Sequence, residues 1–157
     1  MQTRSARGFL THAALAAVIA GTPALAVPKA TYVARCAMCH QPGGEGLAGQ
    51  FPRLAGRGAA IAQTPAGRHY LARTVLHGMY GTILVDGQSI TGLMPSMVAM
   101  TDAEIAEALN HVLSLKPAKS ATPFKPAEIA AVRAEGKASG SQNAELRRQL
   151  VDAGTIK

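Results

Sequence analysis

The clearest run of apolar positions at helical spacing is Ile105, Leu109, Val112 and Leu113, which follows Thr101-Asp102-Ala103-Glu104 and is stopped by Pro117. A threonine with a glutamate three residues on is a capping box, so a helix is predicted from this point, its apolar face packed across the first helix of the chain. A second helix is bounded by Thr64 as N-cap, Pro65 in the first turn and Gly78 at the end, with Tyr70, Leu71 and Val75 along it. Between these two, Thr82-Ile83-Leu84-Val85 and Gln88-Ser89-Ile90-Thr91 flank Asp86-Gly87, the pattern of a small hairpin closed by a two-residue turn. Upstream, Pro28 opens a helix that carries Tyr32 and Cys36 four apart on one face. Downstream, Pro117, Pro123 and Pro126 mark an extended connector. Two short helices are predicted beyond it, over 126–135 and 141–153, with narrow apolar stripes of Ile129 with Val132 and of Leu146 with Leu150. Stripes that narrow cannot build a second core, so these helices should strap across the domain before them. The pattern is that of an all-α fold with one small β-hairpin.

At the N-terminus, Arg4 and Arg7 precede an apolar stretch over 9–20, and Ala24-Leu25-Ala26 has the small-x-small form of a signal-peptidase site. The predicted organisation is therefore a cleaved signal peptide at 1–26, a domain at 27–116, and a connector with helical extension at 117–157. The apolar stretch is too short for a bilayer span and none follows it, so no stable membrane span is expected after cleavage. The expected compartment is the periplasm.

Charge adds a bias toward the tail. Of 16 basic side chains, Arg4 and Arg7 leave with the signal, so 14 stand against 9 acidic ones, a net of +5. Residues 116–157 hold 8 basic and 4 acidic side chains, or +4, which leaves +1 for 27–115. The basic residues are neither clustered nor interleaved with aromatics, which argues against nucleic acid as a partner. Composition adds a deficit: the chain has 3 Phe, 3 Tyr and no Trp, a thin supply of core for one domain. A buried prosthetic group at the centre of the core would fill it.

The chemistry begins at Cys36-Ala37-Met38-Cys39-His40, which uses both cysteines of the chain. Two thiols three positions apart on one helical turn can each add across a vinyl group of the same porphyrin, and the next imidazole then lies under the iron. A thioredoxin-like dithiol is the rival reading, but it needs a βαβ context and has no use for the adjacent His. A disulfide within one helical turn has poor geometry. One covalently attached haem c is predicted, held by Cys36 and Cys39, with His40 as proximal ligand. The glycine-rich run Gln41-Pro42-Gly43-Gly44-Glu45-Gly46 lacks P-loop spacing and is read as a close backbone approach to the macrocycle.

The sixth iron ligand decides between a carrier and a reactive haem. Candidates downstream are Met79, Met94, Met97, Met100, His69, His77 and His111. Met94 is preferred because Gly92-Leu93-Met94-Pro95 reads as a loop between the hairpin and the capped helix, and Pro95 restricts the Met94 backbone. Met97 and then Met100 follow. The remaining methionines are expected to fill core gaps, and the three histidines to lie at the surface or at helix ends.

With these motifs in order, the segment from Tyr32 to about Leu115 resembles the small monohaem class I c-type cytochromes of bacterial periplasms. The resemblance rests on the Cys36–His40 box, the glycine-rich loop, Phe51-Pro52-Arg53-Leu54-Ala55-Gly56, Leu76-His77-Gly78, the Gly81–Gly87 hairpin segment, Met94-Pro95 and Thr101–Ile105. It implies the class I fold, helices packed around one covalent haem. It also implies that the Pro52 carbonyl accepts the His40 ring N–H, that Leu54 packs on the porphyrin, that Arg57 lies near a propionate and that Met94 ligates iron. Relatives commonly carry aromatics where this chain has Ile90 and His111. The hairpin together with Ala131-Val132-Arg133-Ala134 is similar to cytochromes that accompany periplasmic dehydrogenases.

A His/Met six-coordinate iron has no open position, so the expected function is one-electron transfer between redox proteins, from a dehydrogenase toward a respiratory oxidase or another cytochrome. No reaction is expected of this chain alone. An integral subunit of a dehydrogenase complex is the alternative. A haem enzyme or gas sensor with an open distal site is disfavoured by the single attachment motif and the lack of a second signalling domain.

Overall fold

Helix α1 (Ala30–Arg35) and the single turn α2 (Ala37–His40) carry the cysteine box, and Cys36 stands between them. The computed structural model describes residues 30–157. The predicted signal peptide and the Pro28 start of the first helix lie outside the described residues. The predicted continuous helix is thus two pieces, joined because the Cys36 carbonyl accepts from both Cys39 (3.2 Å) and His40 (2.9 Å).

Helix α3 (Arg57–Ile61) has no counterpart in the apolar pattern. It is five residues long and three of them are buried, so it has no polar face to make it periodic. Helix α4 (Pro65–His77) starts as predicted, with the Thr64 side chain accepting from the Gly67 N–H and Pro65 in the first turn. Strands β1 (Met79–Val85) and β2 (Gln88–Met94) pair antiparallel in the register Met79↔Met94 to Val85↔Gln88. Asp86 and Gly87 both have positive φ, 52° and 77°, as a primed hairpin turn requires. The ladder is longer than predicted, and Met94 ends a strand instead of lying in a loop.

Helix α5 (Asp102–Ser114) has the full capping box: Thr101 accepts from the Glu104 N–H, and Glu104 accepts from the Thr101 N–H. Its Ile105, Leu109 and Leu113 turn toward α4 and α6 (Pro126–Ala134), not across α1 as the sequence suggests. The contact with α1 is made by the face carrying Glu107 and His111. Thr31 Oγ1 donates to Glu107 at 2.8 Å, and the Tyr32 and His111 rings lie 4.7 Å apart, tilted by 52°. Six residues of α5 are buried, and the helix packs against α1, α3, α4 and α6.

The main apolar cluster joins Leu76 of α4, Ile105 and Leu109 of α5, Met100, and Phe124, Ile129 and Val132 from beyond Pro117. Ile105 and Ile129 are fully buried, each a contribution of about 1.5–3 kcal/mol. The C-terminal helices therefore join the first core, as their narrow stripes require. Helix α7 (Gly140–Asp152) lies on β1 and α4. A second cluster of Ile61, Tyr70, Met79 and Ile156 is flanked by half-buried Met94, Leu146 and Leu150. No helix among the described residues is long and apolar enough to cross a membrane.

Candidate haem site

His40 is 8% exposed and its Nδ1 lies 2.9 Å from the Pro52 carbonyl. A carbonyl can only accept, so Nδ1 carries the proton and Nε2 carries the lone pair. Burial lowers the imidazole pKa, partly opposed by the Pro52 bond, which keeps the ring neutral and able to ligate. Cys36 and Cys39 are both half-buried and are not bridged to each other. Burial, and then the neighbouring Cys39, push the Cys36 thiol up, away from the reactive thiolate of a redox dithiol. Two unbridged thiols and a neutral, oriented imidazole are the donor set that covalent haem attachment uses.

The turn after His40 is fixed by the backbone of Gln41 and by Tyr32, which the sequence places on one face with Cys36. Gln41 has φ of 66°, and its carbonyl accepts from the Tyr32 hydroxyl at 2.7 Å. Tyr32 is fully buried, and its hydroxyl is pushed up to about 12 by that burial, then by Cys36 and Glu45. His111 lies in the last turn of α5, as expected of a helix-end residue, and is half-buried against the Tyr32 ring. The signal is present in the sequence: Tyr32 and Cys36 share a face, and the Tyr32 carbonyl accepts from the Cys36 N–H at 2.8 Å.

At two positions the glycine-rich loop makes its close approaches to the chain itself. A Cβ on Gly44 would lie 2.6 Å from Leu115 Cδ1 and 3.1 Å from the Ala55 N, and one on Gly46 would lie 2.5 Å from the Phe51 carbonyl oxygen. These glycines admit the chain's own 51–55 segment. The Gly44 carbonyl accepts from the Leu54 and Ala55 N–H groups, which carries Pro52 to its place over His40 and leaves Leu54 half-buried.

Arg57 and Arg53 both reach Asp86 at the tip of the hairpin, at 2.9 Å each, and Arg57 also donates to the Lys157 carbonyl. These contacts lower the Asp86 carboxyl, the Arg53 bond first. Met94 is half-buried against the cluster of Ile61, Tyr70 and Met79. Of its rivals, Met100 is buried in the main cluster and Met97 packs against it, the gap-filling role expected of thioethers. His69 pairs with Glu135 at 2.8 Å. His40 and Pro52 are thus in direct contact, whereas Met94 stands apart from them at the end of β2, packed against its own apolar cluster.

Helices enclosing a cysteine-histidine turn, with a small hairpin ending in a methionine, form the class of small haem-binding electron carriers. The cytochrome c family model matches residues 28–116. The chain is 41% identical over 106 residues to a cytochrome c-552 of Thermus thermophilus, covering 65% of this chain and 81% of that protein. A second cytochrome c-552 of the same species is likewise 41% identical over 106 residues, 65% of this chain and 72% of that protein. The chain belongs to the cytochrome c family, with the class I fold and the family's covalently bound haem.

Proposed function

We propose that this chain is an exported, periplasmic one-electron carrier. Cys36 and Cys39 would hold its single haem c, with His40 and Met94 as the residues that ligate the iron. When bound, the haem supplies an iron that changes oxidation state without taking up substrate. The chain does the rest. Cys36 and Cys39 fix the macrocycle against α2, Pro52 holds the His40 ring in one tautomer, and Met94 offers a thioether, which favours the ferrous form and raises the potential. Leu54 and Arg57 are the residues proposed to meet the porphyrin and a propionate. Electrons would come from a periplasmic dehydrogenase and go to an oxidase or another cytochrome, in short-lived encounters.

The observation that carries this reading is the 2.9 Å bond from His40 Nδ1 to the Pro52 carbonyl, which leaves Nε2 for iron. The test is the ferric absorption spectrum of the haem-loaded protein. A low-spin spectrum with the weak long-wavelength band of thioether ligation, lost in Met94→Ala and kept in Met97→Ala, is the expected result. A high-spin spectrum would overturn the closed iron and favour a reactive haem. The reading as a free carrier, not a complex subunit, is supported by the extension, whose Phe124, Ile129, Val132 and Ile156 are buried within the molecule.

A further inference from the structure

We propose that Asn143, on α7, is a positioning residue for the Met94 ligand, acting through Gly78. This rests on the reading of Met94 as the sixth ligand. Asn143 is fully buried, yet it lies on a helix outside the span matched by the family. Its Nδ2 donates to the Gly78 carbonyl at 2.6 Å and, more weakly, to the Arg73 carbonyl at 3.3 Å, while its Oδ1 accepts from Arg73 Nε at 2.9 Å. Gly78 ends α4, where a helix leaves its last carbonyls without internal donors, and Arg73 lies one turn before it.

Those carbonyls are shared between α7 and the ligand segment. Ser96 Oγ donates to the Leu76 carbonyl at 2.6 Å, and the Met97 N–H donates to the Val75 carbonyl at 3.0 Å. Gly78 completes the junction. Its φ is 74°, and a Cβ there would stand 2.4 Å from the Met94 carbonyl oxygen and 2.9 Å from the Ser96 N, so the two backbones touch. Helix α7 grips the other side as well: a Cβ on Gly140 would lie 2.7 Å from the Tyr80 N, beside Met79, and Met79 is the strand partner of Met94. Met94 is therefore backed by Gly78 and by Met79, and α7 holds both.

A thioether that must stay on iron needs a backbone that does not drift. Exogenous imidazole reports that drift, because it reaches ferric iron only when the thioether is off, and its apparent affinity scales with the open fraction. The test uses the haem-loaded full chain with Asn143→Asp, which keeps the Arg73 acceptor and removes the Gly78 donor. Apparent imidazole affinity should rise by about tenfold or more. Exchange of the Met97 amide should quicken by about tenfold relative to that of Ile105. Thr64→Ala, which removes the cap at the opposite end of α4 from this junction, should leave imidazole affinity within about twofold. An Asn143→Asp protein with wild-type imidazole affinity, or a Thr64→Ala protein with an equal gain, would overturn the proposal. Retention of the thioether band in Met94→Ala would refute only the ligand assignment, and the Met97 exchange rate would still decide whether Asn143 holds the segment.

Discussion

The Tyr32 hydroxyl donates to the Gln41 carbonyl across 2.7 Å and so ties the residue that enters the cysteine box to the residue that leaves it. Tyr32→Phe keeps the ring against His111 and removes only this bond. The expected cost is about 1–2 kcal/mol, read as a lower denaturant midpoint with an unchanged slope. A changed slope would mean that the packing of the box had been altered as well.

The same phenol sets an alkaline limit. Its pKa is about 12 in the folded chain against 10.0 for a solvated tyrosine, so folding favours the protonated form. That contribution is complete below pH 10 and is lost as the pH rises from 10 through 12. Once Cys36 is a thioether it no longer ionises, and burial with Glu45 remains, so the loss should be on the order of 2 kcal/mol. Stability measured across this range should fall in the wild type beyond what Tyr32→Phe shows; parallel profiles would count against it.

Much of the fold is legible in the sequence because local signals and tertiary demands agree. Thr64-Pro65, Asp86-Gly87 and Thr101–Glu104 each satisfy backbone groups within a few residues, so their effects do not depend on the rest of the chain. The turn that gathers Cys36, Cys39 and His40 is legible for the same reason, because their spacing alone places them together. Relationships across long sequence separations are not. The break at Cys36, the burial of α3 and the polar face of α5 against α1 are set by neighbours that carry no mark in the local pattern. The glycines of residues 43–46 announce a close approach but not its partner, which is residues 51–55.

The extension should be inseparable from the haem domain. Phe124 is held by two bonds with the Asn110 side chain, at 3.0 and 2.6 Å, and the Arg68 guanidinium lies 4.0 Å from its ring centre. Phe124→Ala should cost about 3–5 kcal/mol and Ile129→Ala about 2–5 kcal/mol, measured by thermal or denaturant melts. Removal of residues 117–157 should then leave a chain without a cooperative melt; a sharp transition near the wild-type temperature would show that the extension is dispensable.

Asp86 offers a clean acid test, because Asn tolerates the same positive-φ turn position and carries no charge. Its folded pKa is depressed below the ordinary value of 3.8, so its contribution is present above that value and is lost as the pH falls through the folded pKa. The Asp86 side chain is 43% exposed, and solvent screening limits the gain to about 1 kcal/mol or less. Asp86→Asn should be slightly less stable at neutral pH and should lack this part of the acid loss.

Docking has two candidate surfaces with opposite salt behaviour. Met38 sits inside the cysteine box and is 88% exposed, with Val33 at 49% nearby in sequence, while the tail after Pro117 carries the charge excess, including exposed Lys119 and Lys125. If electrons pass through the edge beside the attachment turn, Met38→Glu should slow bimolecular electron transfer by about tenfold at unchanged potential, since an apolar contact is replaced by a desolvated charge. Charge reversal at Lys119 and Lys125 should instead change how the rate falls with ionic strength, because exposed charges steer approach over a Debye length of about 8 Å, which added salt shortens. Stopped-flow rates over a salt series separate the two. A Met38→Glu protein with wild-type rates at every salt concentration would move electron entry away from the attachment edge.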